Sequence, residues 1–148
     1  MSLVADLVAP LLIILVVAAP FTLREALPRS PWPFWFRALL GVAAVYILML
    51  TDLWLHLWDR FGLDYSTHTA LAVSLSVSLV ALSRRWLLFL VPLLLLYAWL
   101  MIALDYHSAA DIMTTAIVVG PITWLFHHAG LQRPAAASPD LAGDSFEM

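Results

Sequence analysis

Two side chains near the end of the chain have the types and spacing for imidazole chemistry. His107 and Asp111 are four positions apart, which puts them on one face of a helix. A carboxylate placed there can reach one imidazole nitrogen, fix its tautomer and leave the other nitrogen to react. Alternatively, His107 only caps a helix, and Asp111 only satisfies the hydrogen-bonding capacity of the His107 ring. The spacing leaves both interpretations open.

A second histidine, His68, lies in the segment DYSTHTA over residues 64–70. Asp64 precedes His68 by four positions, and Asp52 precedes His56 by the same interval. With the pair described above, these make three Asp/His pairs, which offer the imidazole and carboxylate ligands that zinc or another divalent ion accepts. One alternative is therefore a metal-dependent membrane hydrolase or a metal-binding protein that uses Asp52, His56 and Asp64.

The composition indicates which kind of scaffold holds these residues. Hydrophobic residues make up 64% of the 148 positions and charged residues 11%, and there is no cysteine. This fraction of hydrophobic residues is larger than a soluble domain needs for its core. We predict an all-α, polytopic membrane bundle of about five transmembrane helices in a domain over residues 1–128, followed by a disordered cytoplasmic tail over 129–148. The predicted spans, each near the length that crosses a bilayer, cover residues 3–21, 37–58, 67–83, 86–104 and 108–127.

The positions of the arginines predict the orientation of these spans. All seven basic residues are arginine, and with five spans six of the seven fall on one side of the membrane. The positive-inside rule makes that side cytoplasmic, with the N-terminus out and the C-terminus in. His68 and His107 then both begin inward-running helices at the outer leaflet, so they can share one site. The six residues are Arg24, Arg29, Arg37, Arg84, Arg85 and Arg133.

The two histidine segments resemble a known pair of motifs. Residues 66–70, STHTA, resemble the Ser-Gly-His-Thr-Ala element of the type 2 phosphatidic acid phosphatase (PAP2) superfamily, with Thr67 in place of the glycine. The spacing His107-x3-Asp111, with Ile112 next, resembles its His-x3-Asp element. The order of the motifs and the helical hairpin between them also match. The resemblance covers about residues 50–128, and the ending WLFHH is most similar to the sphingomyelin-synthase-like branch.

This resemblance implies phosphoryl transfer without a metal or other cofactor. His107 would attack phosphorus and form a phosphohistidine, Asp111 would orient and stabilise it, and His68 would protonate the leaving oxygen. Water or a lipid hydroxyl would then accept the phosphoryl group. The phosphate contacts would be Arg60, Ser66 and Thr69.

The expected substrate is a lipid phosphate or a phospholipid at the outer leaflet. Arginine without lysine, together with abundant alanine and leucine, suggests a GC-rich bacterial genome, so we expect an inner-membrane protein whose active site faces the periplasm. Nothing in the sequence resembles a basic face for nucleic acid. Besides the metal-binding alternative, a third class remains open, a non-catalytic membrane protein that binds lipid head groups or a partner protein.

Overall fold

A computed structural model describes residues 3–22 and 30–129, with side chains from residue 7 onward. The predicted disordered tail lies outside the described residues except for its first position. Three of the arginines used to predict the orientation also lie outside them, namely Arg24, Arg29 and Arg133.

Every regular element of the described chain is helical. Two short 3-10 turns, Asp59–Phe61 and Arg84–Trp86, lie in the connections before the third and fourth helices. The five α-helices are α1 (Leu3–Thr22), α2 (Trp32–Leu55), α3 (Thr67–Leu82), α4 (Leu87–Ala103) and α5 (Ala109–His128).

Four of the five helices begin and end within two residues of the predicted spans, whereas α2 is displaced toward the N-terminus. Proline explains its early start, because Pro31 is the N-cap residue and another proline follows in the first turn, where the missing N–H costs no hydrogen bond. The same helix ends before His56, which adopts a left-handed backbone conformation with φ of 49°. Asp52 and His56 are therefore not a pair on one helix face.

Three of the helical segments are long and apolar enough to cross a membrane, namely Trp32–Leu55, Arg84–Ala103 and Ala109–His128. The apolar segments Leu7–Thr22 and Thr67–Leu82 are shorter. Large apolar side chains cover much of the outer surface, and Trp54 and Leu88 are exposed to 81% and 86%. The all-helical, apolar architecture agrees with the prediction. By length and composition, three of the five predicted spans are established among the described residues.

The central helix is α3, which packs against α1, α2 and α5. Hydrogen bonds join α3 and the residue that caps it to α5 through Ser66 and Thr115, Ser74 and Thr123, and Ser78 and His127, and each pair is 49 positions apart in sequence. A constant separation means that the two helices run parallel and in register. Their N-termini consequently lie at one end of the bundle, called the motif end below, and their C-termini lie at the opposite end.

Small residues let the backbones of α2, α3 and α5 approach closely, as they do in membrane helix packing. A Cβ atom added at Gly41 of α2 would lie 2.7 Å from the Ser74 hydroxyl oxygen and 3.0 Å from the Thr123 methyl group. Ser74 and Thr123 are fully buried. This contact fixes α2 against the seam between α3 and α5, halfway between the two ends.

Candidate functional site

The segment that precedes α3 is attached to the first turns of α5. The Asp64 N–H donates to Asp111 Oδ1 over 2.8 Å, and the Ser66 N–H donates to Thr115 Oγ1 over 3.2 Å. Asp111 and Thr115 are one helical turn apart on α5, so both bonds fall on the same face. The predicted meeting of the two histidine motifs at one end of the bundle is confirmed by these contacts.

Asp111 is the residue that makes this attachment, and it is also part of a capping box. Ser108 is the N-cap of α5: its side-chain oxygen accepts from the Asp111 N–H, and its own N–H donates to Asp111 Oδ2 over 2.8 Å. With Asp64 on Oδ1, both carboxylate oxygens accept backbone N–H groups. A charged acceptor makes such bonds strong, so Asp111 holds two segments of backbone together.

The predicted helical pairing of His107 with Asp111 is wrong. The helix begins at Ala109, and His107 precedes the N-cap residue. Serine is among the best N-cap residues, and with an acidic residue three positions later it starts α5 too late to include His107. The alternative in which His107 caps the helix is also wrong, because Ser108 does so.

His107 lies instead beside Asp64. Its Nδ1 atom is 3.6 Å from Asp64 Oδ2, and the two side chains are 13% and 75% exposed. This separation is too long for a hydrogen bond, and Nδ1 is a buried atom with no hydrogen-bond partner among the described residues. The sequence grouped Asp64 with His68 as one of three Asp/His pairs, and the structure places Asp64 in the loop that precedes α3, which begins at Thr67.

The proposed general acid, His68, and the proposed phosphate-binding cation, Arg60, both lie at the motif end. His68 is exposed on the first turn of α3, and Arg60 is exposed in the 3-10 turn between α2 and α3. At this end Arg60 is the one arginine or lysine of the described chain. Exposed carboxylates surround it in the sequence, including Asp59 and Asp64.

Ser66 and Thr69, predicted to contact phosphate, are buried in the described structure. Ser66 is the N-cap of α3, its side-chain oxygen accepts from the Thr69 N–H, and its hydroxyl donates to Thr69 Oγ1 over 2.8 Å. They are 0% and 5% exposed. The prediction missed that a serine directly before a helix is used first by that helix, so these hydroxyls face inward and are not offered to a substrate.

Two aromatic residues support this end, and no pattern in the sequence indicated that they are buried. The Tyr65 hydroxyl donates to the Val45 carbonyl, and its ring packs edge to face against Trp58 with centroids 5.0 Å apart. The Trp58 indole N–H donates to Thr114 on α5. Burial and the charge of Asp52 raise the pKa of Tyr65 above its usual range, so its hydroxyl keeps the proton that it donates.

The residues of the metal-binding alternative do not converge. An Asp52 carboxylate oxygen accepts a hydrogen bond from the main-chain N–H of Trp58 over 2.9 Å. His56 is exposed at the end of α2, and Asp64 lies beside His107. Within residues 3–22 and 30–129, no three His, Cys, Asp or Glu side chains are grouped as a metal ion would require.

Comparison of the chain with known protein families, with curated proteins and with solved structures found no match.

Proposed function

We propose that this protein is an integral membrane lipid phosphatase or phosphotransferase that works through a phosphohistidine intermediate. The observation that carries the proposal is the attachment of the two histidine motifs to each other at one end of an apolar bundle, through the bonds of Asp64 and Ser66 to α5. A polar site that opens at the end of such a bundle lies at the depth of lipid head groups. Lipid phosphates and phospholipids are the substrates found there.

The arrangement of charges supports a membrane orientation for this site. Arg37 lies near the start of α2, and Arg84 and Arg85 follow the end of α3, so these three arginines lie at the end opposite the histidine motifs. By the positive-inside rule the opposite end is cytoplasmic and the motif end faces outward. In this proposal all five helices span, with the N-terminus out, and the site faces the periplasm of a bacterial inner membrane.

The proposed reaction has two displacements at phosphorus. The His107 Nε2 lone pair forms a bond to phosphorus while the bond to the leaving oxygen breaks, and the imidazolium of His68 gives that oxygen its proton. Water or a lipid hydroxyl then attacks the same phosphorus, loses its proton to neutral His68, and the N–P bond breaks. Both histidines return to their initial states, and Asp111 adds a fixed negative charge near the positive His107.

Charge on the transferred phosphoryl group also has to be stabilised. Arg60 supplies one full positive charge at the motif end, and the N-termini of α3 and α5 add partial positive charge at the same place. Ser66 and Thr69 are turned inward, so in this proposal they are not phosphate contacts. This leaves a site with fewer phosphate ligands than the sequence predicted.

Phosphate release and head-group transfer by purified protein in detergent would test the proposal. The substrates are phosphatidate, prenyl and sphingoid phosphates and phospholipid donors, each with and without a chelator. We expect chelator-resistant turnover that falls by about 100-fold or more in His107→Ala, because the nucleophile is lost. His56→Asn is the matched control, since it removes another histidine of the motif end and asparagine tolerates the left-handed backbone.

Two results would contradict the proposal. Turnover abolished by chelator and reduced in His56→Asn would move the function to the metal-dependent alternative. Equal turnover in wild type and His107→Ala would exclude a phosphohistidine at this residue.

A second candidate is the non-catalytic class, a membrane protein that binds lipid head groups or a partner. The specific observation in its favour is the internal use of polar groups that catalysis would need, since Asp111, Ser66 and Thr69 all make bonds within the bundle. Saturable binding of head groups to vesicle-reconstituted protein, with no turnover on any of the substrates above, would support this candidate.

A further inference from the structure

We infer that Asp64 is the positioning residue of His107, and that its carboxylate selects the tautomer in which Nδ1 carries the proton and Nε2 is free to react. This inference deepens the proposed function, because it concerns how the proposed nucleophile is held. It gives Asp64 a role that the spacing of His107 and Asp111 assigned to Asp111.

The His107 ring has a nitrogen atom that can gain a hydrogen bond. Its Nδ1 atom is buried and has no hydrogen-bond partner among the described residues. A buried polar atom without a partner destabilises the fold, so the approach of a nearby acceptor to Nδ1–H is favoured. The neighbouring acceptor is Asp64 Oδ2, at 3.6 Å.

The Asp64 carboxylate can move while the Asp64 main chain stays in place. The Asp64 side chain is 75% exposed, so its carboxylate can rotate toward Nδ1 without displacing packed neighbours. Its main chain is meanwhile held by the N–H bond to Asp111. Hydrogen bonds of catalytic groups are often long before substrate binds and shorten in the complex, and a small rotation about the side-chain bonds closes this gap.

Asp111 does not take the same role, because both of its carboxylate oxygens already accept hydrogen bonds. Each of its carboxylate oxygens accepts a backbone N–H over 2.8 Å, one from Asp64 and one from Ser108. Turning toward His107 would break a strong bond and leave a backbone N–H unsatisfied. Asp111 therefore fixes the position of the Asp64 main chain, and the Asp64 carboxylate acts on the ring.

The consequence for chemistry follows from the tautomer. A carboxylate that accepts from Nδ1–H fixes which nitrogen carries the proton and orients the ring. The Nε2 lone pair then points away from Asp64 and is available to phosphorus. Once Nε2 is bonded to phosphorus the ring is positive, and the same carboxylate stabilises it.

Nitrogen NMR of histidine-labelled protein in detergent tests this directly, because ¹⁵N chemical shifts distinguish the two neutral tautomers. The chain has five histidines, and His107→Gln identifies the His107 signals by their loss. At a pH where the ring is neutral, we expect mainly the Nδ1–H tautomer in wild type and a shift toward Nε2–H in Asp64→Ala. Asp59→Ala, which removes another exposed carboxylate of the motif end, should leave the tautomer unchanged.

A kinetic measurement supplies the second readout. If wild type turns over lipid phosphate, Asp64→Ala should lower kcat by roughly 10- to 100-fold with little change in KM, as expected when a reacting group is misplaced. Asp64→Glu should restore part of the rate, because a carboxylate is again present. Asp59→Ala should leave both parameters near their wild-type values.

The outcomes separate this inference from the proposed function. The expected tautomer change in a protein without turnover would support the role of Asp64 and overturn the proposed phosphoryl transfer. The same tautomer in wild type and Asp64→Ala would overturn the inference, as would an equal change in Asp59→Ala. Unchanged kcat in Asp64→Ala, with turnover that still depends on His107, would overturn the inference and leave the proposed function standing.

Discussion

The seam between α3 and α5 has His127 near one end and His107 near the other, and these two histidines are held in different ways. At the opposite end, His127 is 6% exposed and its Nε2 atom is 3.0 Å from the Ser78 hydroxyl oxygen. The Ser78 hydroxyl donates to the Ser74 carbonyl, so the His127 N–H donates to Ser78. At the motif end, the Nδ1 atom of His107 has a carboxylate nearby but no hydrogen bond to any residue that the structure describes.

This difference indicates which histidine is structural and which is available for chemistry. His127 has its hydrogen bond inside the packed seam, and the Phe34 ring lies against it with centroids 5.8 Å apart. His107 lies in a connection, outside any helix, next to a carboxylate exposed to solvent. A histidine that is hydrogen-bonded inside the packed seam contributes to helix packing. A histidine whose buried nitrogen has no partner among the described residues can gain one when a substrate arrives.

The largest expected effect on stability comes from Asp111→Ala, which removes both bonds that the Asp111 carboxylate makes at the motif end. It removes the acceptors of the Asp64 and Ser108 N–H groups and should lower the free energy of unfolding by about 3 kcal/mol. Unfolding by SDS titration in mixed micelles measures it. The control is Asp59→Ala, an exposed carboxylate whose loss should change the free energy of unfolding by less than about 0.5 kcal/mol. Equal stability of the two variants would contradict the proposed structural role of Asp111.

A smaller effect is expected halfway between the ends. Gly41→Ala forces a methyl group to within 2.7 Å of the Ser74 hydroxyl oxygen, and overpacking of this kind costs about 1 to 3 kcal/mol. The matched control is Gly120→Ala in α5, where the nearest atom would be a Val73 methyl carbon at 3.8 Å. The same SDS titration should find Gly120→Ala at least as stable as wild type, because alanine favours a helix. A destabilised Gly120→Ala with an unaffected Gly41→Ala would show that the packing of α2 differs from this structure.

The smallest expected effect sharpens the contrast between the two histidines. His127→Gln keeps a side chain able to donate to Ser78 and should lower the free energy of unfolding by about 1 kcal/mol, with lipid-phosphate turnover within about twofold of wild type. His107→Ala should show the reverse, with turnover lost and stability nearly unchanged. Parallel SDS titrations and turnover assays of the two variants provide the comparison. Loss of turnover in His127→Gln without unfolding would mean that the opposite end takes part in the reaction.

The helices were accessible from sequence because lipid-facing surfaces are apolar along their whole length, and length together with hydropathy locates such segments. The parallel direction of α3 and α5 followed from counting the segments between them. The start of α2 was misplaced because the hydropathy signal begins after Pro31, whereas proline itself begins the helix. Serines in the third segment alternate as they would in a strand, yet they are buried on a helix, where Ser78 bonds back to the Ser74 carbonyl.

The site was predicted less completely, and the reason is competition for the same polar groups. The sequence identified His68, His107 and Asp111 as residues of one end, and the contacts of Asp111 with the loop before α3 agree with that. It could not show that helix capping would occupy Asp111 and Ser66. Backbone N–H groups at a helix start outnumber the nearby acceptors, so a well-placed carboxylate or hydroxyl is taken by the backbone first.

By itself, therefore, the sequence determined the number of helices, their order and the end at which the two histidine motifs meet, since these follow from segment length and apolarity. Only the tertiary structure decided which carboxylate lies beside His107. Helix spacing favoured Asp111, but α5 begins at Ala109 and the loop that carries Asp64 folds onto it. Contacts between segments 47 positions apart depend on how the helices pack, and no local pattern encodes them.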